Sequence, residues 1–479
     1  MKKTRNTKGI LEALLVVGLI LIIPLFFVFR TKANAPAVPS TAVPAGMPVP
    51  TAANAPEESN ALKPKQPPAC TFPLAQTTTA ESTPEEYTFS EPRVVLTAPA
   101  NLDIVEWLPD NQRVLITQDI PAKNQQSIEL FNPQTGETQV YATRKGTSLQ
   151  GSPLWIANLN AILYPETFPL SLSHDNNGKL QYPINMKRLL WLSRGTPANI
   201  QAIEDAQIAV NVDGQSTVGT SFTIAAKPDG GQIIYIDEVG KQLYKRNILQ
   251  NALETAQSLP FDATQLDYRR SSNALMPISF KMIWRPSATQ IFLYSGPYSG
   301  NYTFLLDTAS RHICELNLFG EEDNSWAMSA DWSPDGRYLA VIRTKGKGTF
   351  DFSDLIILDT TSGKLYQIDA KKLSPSDVNI QGQYFIGDVA WAPDNHHLAA
   401  IGQVDYYQPG SDILEVINRL YLIDFMADQA TQISPQELYS NVGETSLLWS
   451  GSGAQLLVKC PTHQEGRLCL VSVQKNIQR

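Results

Sequence analysis

The sequence has little of the chemistry from which an enzyme is recognised. Its 479 residues include only five histidines and four cysteines, and it contains no Gly-x-Ser-x-Gly elbow, P-loop, dinucleotide fingerprint or His-Glu-x-x-His motif. His396 and His397 follow a tight turn, and His174 precedes an Asn-Asn-Gly turn that lacks the acidic spacing of a calcium loop. We therefore expect no catalytic residue, no cofactor and no metal.

Charged residues are scarce as well, and the basic ones are concentrated at one end. They make up 18% of the chain, with a net charge of −8, whereas a typical protein has about 25%. Six basic residues lie in positions 1–32, so the remainder has 32 basic and 45 acidic side chains. A body this acidic repels a polyphosphate, which argues against nucleic acid as the partner.

Residues 10–29 form a hydrophobic run of twenty residues with one charge, Glu12. As a transmembrane helix the run would be about 30 Å long, the thickness of the hydrocarbon core of a bilayer. Four basic residues precede it, so the positive-inside rule predicts a cytoplasmic tail at 1–9 and places the rest of the chain outside the cytoplasmic membrane. The alternative is a cleaved signal peptide, for which Ala33-Asn34-Ala35 fits the cleavage pattern.

A segment rich in proline and alanine follows the hydrophobic run. Residues 33–75 contain ten prolines and eleven alanines without apolar periodicity, a composition typical of an extended chain with polyproline II character. We predict a disordered linker over residues 30–85 that holds the folded part of the chain away from the bilayer.

From about residue 86 onward the sequence repeats itself. Residues 330–342, 389–401 and 105–116 share a Trp-x-Pro-Asp-Gly/Asn turn that is followed by an alternating apolar strand. Weaker copies are anchored at residues 155, 226, 284 and 449, so that seven anchors recur with a mean spacing of 57 residues. Such a period indicates a repeat architecture.

Each repeat has the pattern of four antiparallel strands, which make one blade of a propeller. We predict an all-β, seven-bladed β-propeller over residues 86–479, with six or eight blades as alternatives. The last repeat supplies only three strands, so residues 92–97 are predicted to complete it and to close the ring. The tryptophan anchors are expected to pack between blades; they are Trp107, Trp155, Trp284, Trp332, Trp391 and Trp449.

The Trp-x-Pro-Asp-Gly/Asn core followed by an apolar strand resembles the TolB-type, WD-repeat-like repeats that also occur in the propellers of prolyl-oligopeptidase-type peptidases. The resemblance covers roughly residues 86–479, with three strong copies and four weaker ones. TolB proteins carry a small α/β domain before the propeller, and the peptidases add a hydrolase domain. This sequence shows neither, so the resemblance implies the fold and not a particular activity.

The four cysteines are candidates for disulfides if the body lies in an oxidising exterior. Cys460 and Cys469 flank a predicted hairpin tip near residues 464–466 and would lie opposite each other, with two free thiols as the alternative. Cys70, in the predicted linker, and Cys314 could pair as well, which would pin the linker to the ring.

Connection lengths indicate one functional face. The connections between second and third strands are long, as in residues 165–187, 344–353 and 403–418, and functional residues concentrate on such loops. Tyr406 and Tyr407 form the candidate binding-face loop, and Phe168 offers a further exposed aromatic contact. Surface loops without a function are the alternative.

We therefore expect a non-catalytic binding or scaffold module outside the cytoplasmic membrane, whose partner is a protein, peptide or glycan of the cell envelope. The alternative is an extracytoplasmic hydrolase or lyase that acts on glycans or peptides at the mouth of the propeller channel. For such chemistry the anchor sequences offer Glu106 and Asp331, but no convergent set of carboxylates.

Overall fold

The computed structural model describes residues 69–72, 86–145, 151–169, 184–195, 199–210, 224–227, 230–236, 242–250, 252–258, 280–286, 289–295, 302–319, 325–345, 352–375, 382–407, 414–439, 445–460 and 466–476. The predicted tail, the predicted membrane helix and most of the predicted linker lie outside these residues. Among the residues that are described, no helix has the length and apolar character needed to cross a membrane.

The described residues contain 29 β-strands in seven antiparallel sheets, the blades of a seven-bladed β-propeller. Two strands precede blade 1: β1 (Glu86–Phe89) and β2 (Arg93–Ala98). Blades 1 and 2 consist of β3 (Leu102–Trp107), β4 (Val114–Ile120), β5 (Gln125–Phe131), β6 (Thr138–Lys145), β7 (Leu154–Ile156), β8 (Ala161–Pro169), β9 (Ile184–Ser193) and β10 (Ile200–Val210).

Blades 3 and 4 consist of β11 (Ile224–Ala226), β12 (Gln232–Ile236), β13 (Gln242–Asn247), β14 (Ala252–Ser258), β15 (Phe280–Trp284), β16 (Gln290–Ser295), β17 (Thr303–Asp307) and β18 (Ile313–Glu315). Blades 5, 6 and 7 consist of β19 (Ser325–Trp332), β20 (Tyr338–Lys345), β21 (Phe352–Asp359), β22 (Leu365–Asp369), β23 (Gln383–Trp391), β24 (His397–Tyr407), β25 (Leu414–Asp424), β26 (Gln429–Ser434), β27 (Leu447–Trp449), β28 (Gln455–Lys459) and β29 (Gly466–Asn476).

The seven sheets follow one another in a closed ring. The first strand of each blade contacts the first strand of the next, from β3 through β7, β11, β15, β19, β23 and β27 and back to β3. These strands form the inner wall, and the later strands of each blade lie progressively farther out. Closure allows each sheet to bury its faces against its two neighbours, which a single blade cannot do.

The ring closes at β29. This strand pairs with β28 on one side and with both β1 and β2 on the other. Phe89 lies opposite Val473 and Val94 lies opposite Cys469, so the two short strands cover successive parts of the eleven-residue β29. The prediction that residues 92–97 complete the last blade is confirmed, and β1 adds a second closing strand that was not predicted.

The turn after each anchor explains why the repeats fold alike. Glycine and asparagine tolerate the left-handed region of backbone conformation better than other residues. In blade 5 the Ser333 carbonyl accepts the Gly336 N–H at 2.7 Å, and the Ser333 hydroxyl accepts the Tyr338 N–H at 2.8 Å. In five blades the residue four places after the anchor has a positive φ; these residues are Asn111, Gly230, Gly336, Asn395 and Gly453.

The hydrophobic core lies between neighbouring blades. In the cluster between blades 5 and 6, the centroid of the Trp391 ring lies 6.0 Å from that of Tyr338 and 5.6 Å from that of Phe425. Trp391 thus fills the space between its own blade and the preceding one. The other buried anchors are Trp284, Trp332 and Trp449, whereas Trp107 and Trp155 are partly buried.

The expectation of long loops over residues 403–418 and 165–187 is wrong in one respect. Strand pairing continues well into both segments, to Tyr407 opposite Leu414 in blade 6 and to Pro169 opposite Met186 in blade 2. The candidate binding-face loop of Tyr406 and Tyr407 is therefore the end of a strand. Aromatic and β-branched residues favour the extended backbone there, and cross-strand pairing stabilises it.

Candidate functional site

The antiparallel order of strands gives the ring two different ends. Connections from first to second and from third to fourth strands lie at one end, which we call the turn face. Connections from second to third strands and between blades lie at the other end, which we call the loop face. The turn after Trp332 belongs to the turn face, and the β24–β25 hairpin of blade 6 extends toward the loop face.

The β24–β25 hairpin projects beyond the rest of blade 6. The two strands pair from His397 opposite Asp424 as far as Tyr407 opposite Leu414. On the inner side β23 pairs with β24 only up to Asp405, and on the outer side β26 pairs with β25 only from Leu420 onward. The end of the hairpin is therefore a two-stranded ribbon, with no further strand of the described residues beside Leu414 to Ile417.

The ribbon carries exposed apolar side chains on one face. Tyr407 is 63% exposed, Leu414 is 47% exposed and Val416 is 39% exposed. Tyr407 lies directly opposite Leu414, and Val416 is two residues further along the same strand, so the three side chains project from the same side of the sheet. We call these three residues the ribbon patch. An apolar cluster at the end of a projecting hairpin is suited to contact with another molecule.

Tyr406 and Glu415 occupy the opposite face of the ribbon. They are cross-strand partners, and the Tyr406 hydroxyl donates a hydrogen bond to the Glu415 carboxylate. Of the two tyrosines proposed from the sequence, only Tyr407 is therefore exposed. Burial raises the pKa of Asp405, and a hydrogen bond from the Gln403 amide at 2.7 Å lowers it. The sequence from 403 to 418 contains three acidic residues and no basic one.

The hairpin of blade 2 offers a comparison with the ribbon of blade 6. There the outer strand β10 pairs with β9 along its whole length, as far as Val210 opposite Ile184. The Lys145 ammonium lies 5.0 Å from the centre of the Phe168 ring, which is partly buried. The second contact point proposed from the sequence thus lies within a covered sheet, whereas the ribbon patch lies beside an open edge.

Three carboxylates line the inner strands. The Glu106 carboxylate accepts the backbone N–H of Trp155 at 2.6 Å, and that of Asp331 accepts the backbone N–H of Trp391. Asp388 accepts the N–H groups of Ser446 and Leu447 at 2.7 and 3.0 Å. Each carboxylate therefore accepts hydrogen bonds from the first strand of the following blade, and so joins two blades together.

Burial raises the pKa of each of these carboxyls to about 7. For Asp331 the charge of Asp388 on the adjoining blade raises the pKa further, whereas the backbone N–H bonds of all three groups lower it. A carboxyl that titrates near neutrality can act as a general acid or base. The same property is also expected of buried structural groups.

Two lysines accompany Asp388. The charge of Lys459 lowers the pKa of Asp388, and the Lys459 ammonium forms an ion pair with Asp103 at 2.8 Å. The Lys281 ammonium donates to the Met328 carbonyl at 3.2 Å; burial lowers its pKa and the charge of Asp388 raises it. Over the described part of the chain, no three His, Cys, Asp or Glu side chains come together to hold a metal ion.

Glu106 and Asp331 were named from the sequence, but Asp388 was missed. Its signal is a lone acid in an otherwise apolar inner strand, three residues before the Trp391 anchor. Asp331 and Asp388 lie on the adjoining blades 5 and 6, and Glu106 lies on blade 1. The charges of Asp331 and Asp388 interact, whereas the pKa of Glu106 is shifted by its burial and by the Trp155 N–H alone.

Three of the anchors link neighbouring blades through their indole N–H groups. Trp391 donates to the Asp331 carbonyl at 3.2 Å, and Trp332 donates to the Ile283 carbonyl at 3.4 Å. Trp107 donates to the Leu448 carbonyl at 3.5 Å, which joins blade 1 to blade 7. In each case the acceptor is the residue that precedes the anchor of the previous blade.

Both cysteine pairs form disulfides. Cys460 and Cys469 have Cα atoms 5.8 Å apart and join β28 to β29 at the loop face. Cys70 and Cys314 have Cα atoms 4.8 Å apart, and the Cys70 N–H donates to the Glu315 carbonyl at 2.9 Å. Residues 69–72 therefore lie against the outer edge of blade 4.

Comparison with known proteins gives this chain no identity. No protein-family model and no curated protein sequence matches the chain. Among solved structures, oligogalacturonate lyase from Vibrio parahaemolyticus is 12% identical, covers 81% of this chain and 98% of its own, and has a TM-score of 0.44.

Two further structures are comparably distant. A GH74 xyloglucanase from Xanthomonas campestris is 11% identical over 82% of this chain and 54% of its own, with a TM-score of 0.48. A prolyl endopeptidase is 11% identical over 69% of this chain and 42% of its own, with a TM-score of 0.42. No property of these proteins is transferred to this chain, and the site must be judged from its own residues.

Proposed function

We propose that this chain is a β-propeller of the TolB-like type that binds a partner of the cell envelope through the ribbon patch. A membrane helix over residues 10–29 and the proline-rich linker would hold it outside the cytoplasmic membrane. The observation that supports the proposal most is the exposure of Tyr407, Leu414 and Val416 together on one face of a projecting hairpin.

The chemistry of the patch favours a protein or peptide over a glycan. Leu414 and Val416 are aliphatic and offer no hydrogen bond to a sugar hydroxyl, whereas an apolar side chain of a partner gains about 25 cal/mol per Å² of buried area. Tyrosine at the centre of such a patch commonly contributes a large share of the binding free energy.

Site-specific photo-crosslinking in living cells tests this proposal. A benzophenone amino acid at position 407 is expected to give crosslinks to one or a few envelope proteins, identified by mass spectrometry. The matched control is position 365, because Leu365 is 45% exposed on the outer strand of blade 5. Identical products from both positions, or none from position 407, would contradict the proposal.

The location can be tested separately. Alkaline phosphatase fused after residue 479 is expected to be active, because that enzyme requires disulfides that form outside the cytoplasm. A green fluorescent protein fusion at the same position, exported in unfolded form, is expected to remain dark. The opposite pair of results would place the propeller in the cytoplasm.

The alternative, an extracytoplasmic hydrolase or lyase, has one observation in its favour: the near-neutral pKa of Asp331 and Asp388. Against it, both carboxylates already accept backbone N–H groups of the next blade. The test is release of products from cell-wall glycans and peptides by the purified protein and by its Asp331→Asn and Asp388→Asn variants. Activity that both substitutions abolish in a folded protein would favour the enzyme.

A further inference from the structure

The geometry of the ribbon points to a particular binding mode, an inference that rests on the proposed function. We infer that an extended, basic and apolar segment of the partner adds as a strand to the outer edge of β25, beside Leu414 to Ile417. The exposed main-chain groups of the edge would supply hydrogen bonds, and the ribbon patch would receive alternate side chains.

The direction of the main-chain groups follows from one hydrogen bond and the register. The Asn418 carbonyl accepts the Leu438 N–H from the outer side of β25. Pairing with β24 runs without a bulge from Asp424 to Leu414, so residues two apart direct their N–H and C=O groups the same way. The N–H and C=O groups of Leu414 and Val416 therefore face outward, and those of Glu415 and Ile417 face β24.

In blades 1 and 2 the third strand is covered by the fourth strand at the corresponding place. In blade 1, β6 pairs with β5 as far as Lys145 opposite Gln125, and in blade 2, β10 pairs with β9 as far as Val210 opposite Ile184. Even the three-residue edge strand of blade 4 has Ala69 beside it. Among the residues that the structure describes, no strand lies on the outer side of β25 beside Leu414 to Ile417.

The sequence of the open edge also lacks the usual protection. Edge strands are normally blunted by proline, by lysine or by a bulge. Residues 414–418 are Leu-Glu-Val-Ile-Asn, with neither proline nor lysine, and pairing with β24 shows no bulge there. An edge that is exposed, regular and apolar favours the addition of another strand.

The acidic charge of the ribbon determines which kind of peptide strand can bind beside β25. Residues 403–418 carry Asp405, Asp412 and Glu415 and no basic side chain. A second copy of the same edge would bring like charges together, which opposes self-association. The chain's own proline-rich segment is unsuitable too, because proline has no N–H to donate to the ladder. The occupant that satisfies both requirements is an extended peptide that alternates apolar and basic residues.

The test compares two substitutions at one position. Val416→Pro removes an outward N–H without removing a β24–β25 hydrogen bond, and Val416→Thr keeps the N–H and the branched shape. The probe is a capped synthetic peptide of alternating lysine and valine, measured by fluorescence anisotropy with the full-length protein. Its control alternates lysine and proline, with the same charge and no capacity to form a strand.

We expect the lysine–valine peptide to bind and the lysine–proline peptide to bind at least about tenfold more weakly. Val416→Pro should weaken the binding of the first peptide about tenfold, which corresponds to the loss of one main-chain hydrogen bond, and Val416→Thr should change it by less than about threefold. Hydrogen exchange in a fragment that contains residues 414–418 should slow when the peptide is bound.

The possible failures can be distinguished. Equal binding of the two peptides, or equal binding by wild type and Val416→Pro, overturns strand addition. If the lysine–valine peptide does not bind while crosslinks from position 407 still identify a partner, strand addition is overturned and the proposed function stands. If neither the peptide nor the crosslink gives a signal, both are overturned.

Discussion

The turn face and the loop face of the propeller use their residues in opposite ways. At the turn face, neighbouring blades are in close contact: the Arg285 guanidinium donates to the Gly336 carbonyl at 2.7 Å, and the Asn395 side chain accepts the Asp335 N–H at 2.9 Å. At the loop face, the blade 6 ribbon leaves Tyr407 and Leu414 exposed. The turn face therefore joins neighbouring blades, whereas the loop face leaves apolar side chains exposed at the place where we propose recognition.

The acidic residues differ between the turns and the inner strands. Although burial alone would raise the pKa of Asp394, hydrogen bonds from the His397 ring and from two backbone N–H groups lower it to about 2. For the three inner-strand carboxyls burial outweighs the backbone N–H bonds and raises their pKa to about 7. Turn carboxylates are thus stabilised in the ionised form, and inner carboxyls in the protonated form.

The two disulfides give the largest test of this comparison. Removing Cys70–Cys314, which links residues 244 apart at the outer edge of blade 4, should lower the free energy of unfolding by about 5 kcal/mol. The Cys460–Cys469 disulfide at the loop face links residues only nine apart. Removing it should lower the free energy of unfolding by about 2–3 kcal/mol. Urea unfolding of the two double Cys→Ser variants measures the difference. Equal losses would mean that loop-closure entropy does not govern the effect.

Close approach at the turn face can be tested with two glycines. A Cβ at Gly336 would lie 2.9 Å from the Pro286 carbonyl oxygen, whereas a Cβ at Gly136 would have nothing within 4 Å, and both residues have a φ near +75°. Gly136→Ala should cost about 1 kcal/mol for its backbone conformation. Gly336→Ala should cost about 1–3 kcal/mol more, because the blades must move apart. Urea denaturation of both variants is the measurement, and similar losses would contradict close contact.

The pH dependence of stability should differ in sign between the two kinds of carboxyl. A carboxyl whose folded pKa is about 7 binds its proton more tightly in the folded state, so stability decreases as pH rises from about 4 to 7. Asp331→Asn should remove a decrease on the order of 1–3 kcal/mol over this range. Unfolding free energies at pH 5 and pH 7 are the measurement, and an unchanged slope would show that Asp331 is ionised throughout.

Asp394→Asn should have the opposite effect and serves as the control. The lowered pKa of Asp394 contributes stability above the unfolded value near 4, which is lost as pH falls toward 2. The variant should be less stable than wild type at pH 7 by on the order of 1–2 kcal/mol, and the two should converge at low pH. A constant difference at every pH would point to lost packing instead.

The smallest effect on stability is expected at the ribbon patch. Tyr407→Ser should change the free energy of unfolding by less than about 0.5 kcal/mol, because the side chain is 63% exposed. The same variant should weaken binding of the lysine–valine peptide by about tenfold or more. Thermal melting and binding measured on the same preparation check both statements, and a large loss of stability would assign Tyr407 to folding instead of recognition.

Much of the fold was predictable because its determinants are local in sequence. The Trp-x-Pro-Asp-Gly/Asn turn requires a left-handed residue at a fixed position, and Gly336 and Asn395 occupy it. The closing strand near residue 94 could be predicted because the last repeat lacked its outer strand. The extent of the blade 6 ribbon could not, because residues 403–407 and 414–418 are compatible with either a loop or a strand until they pair.

By itself the sequence indicated a propeller of six to eight blades, the form of their turns and the place of closure, since these depend on a motif that recurs along the chain and on the last repeat's missing strand. Only the tertiary structure decided which edge stays open, which tyrosine is exposed and which acids join blades. Those properties depend on neighbours that are distant along the chain. The pairing of β26 with β25 ends at Leu420 although β25 extends to Leu414, and the Asp388 carboxylate accepts the Ser446 N–H across the boundary between blades 6 and 7. The repeat pattern encodes the ring, and the ring sets the environment of each side chain.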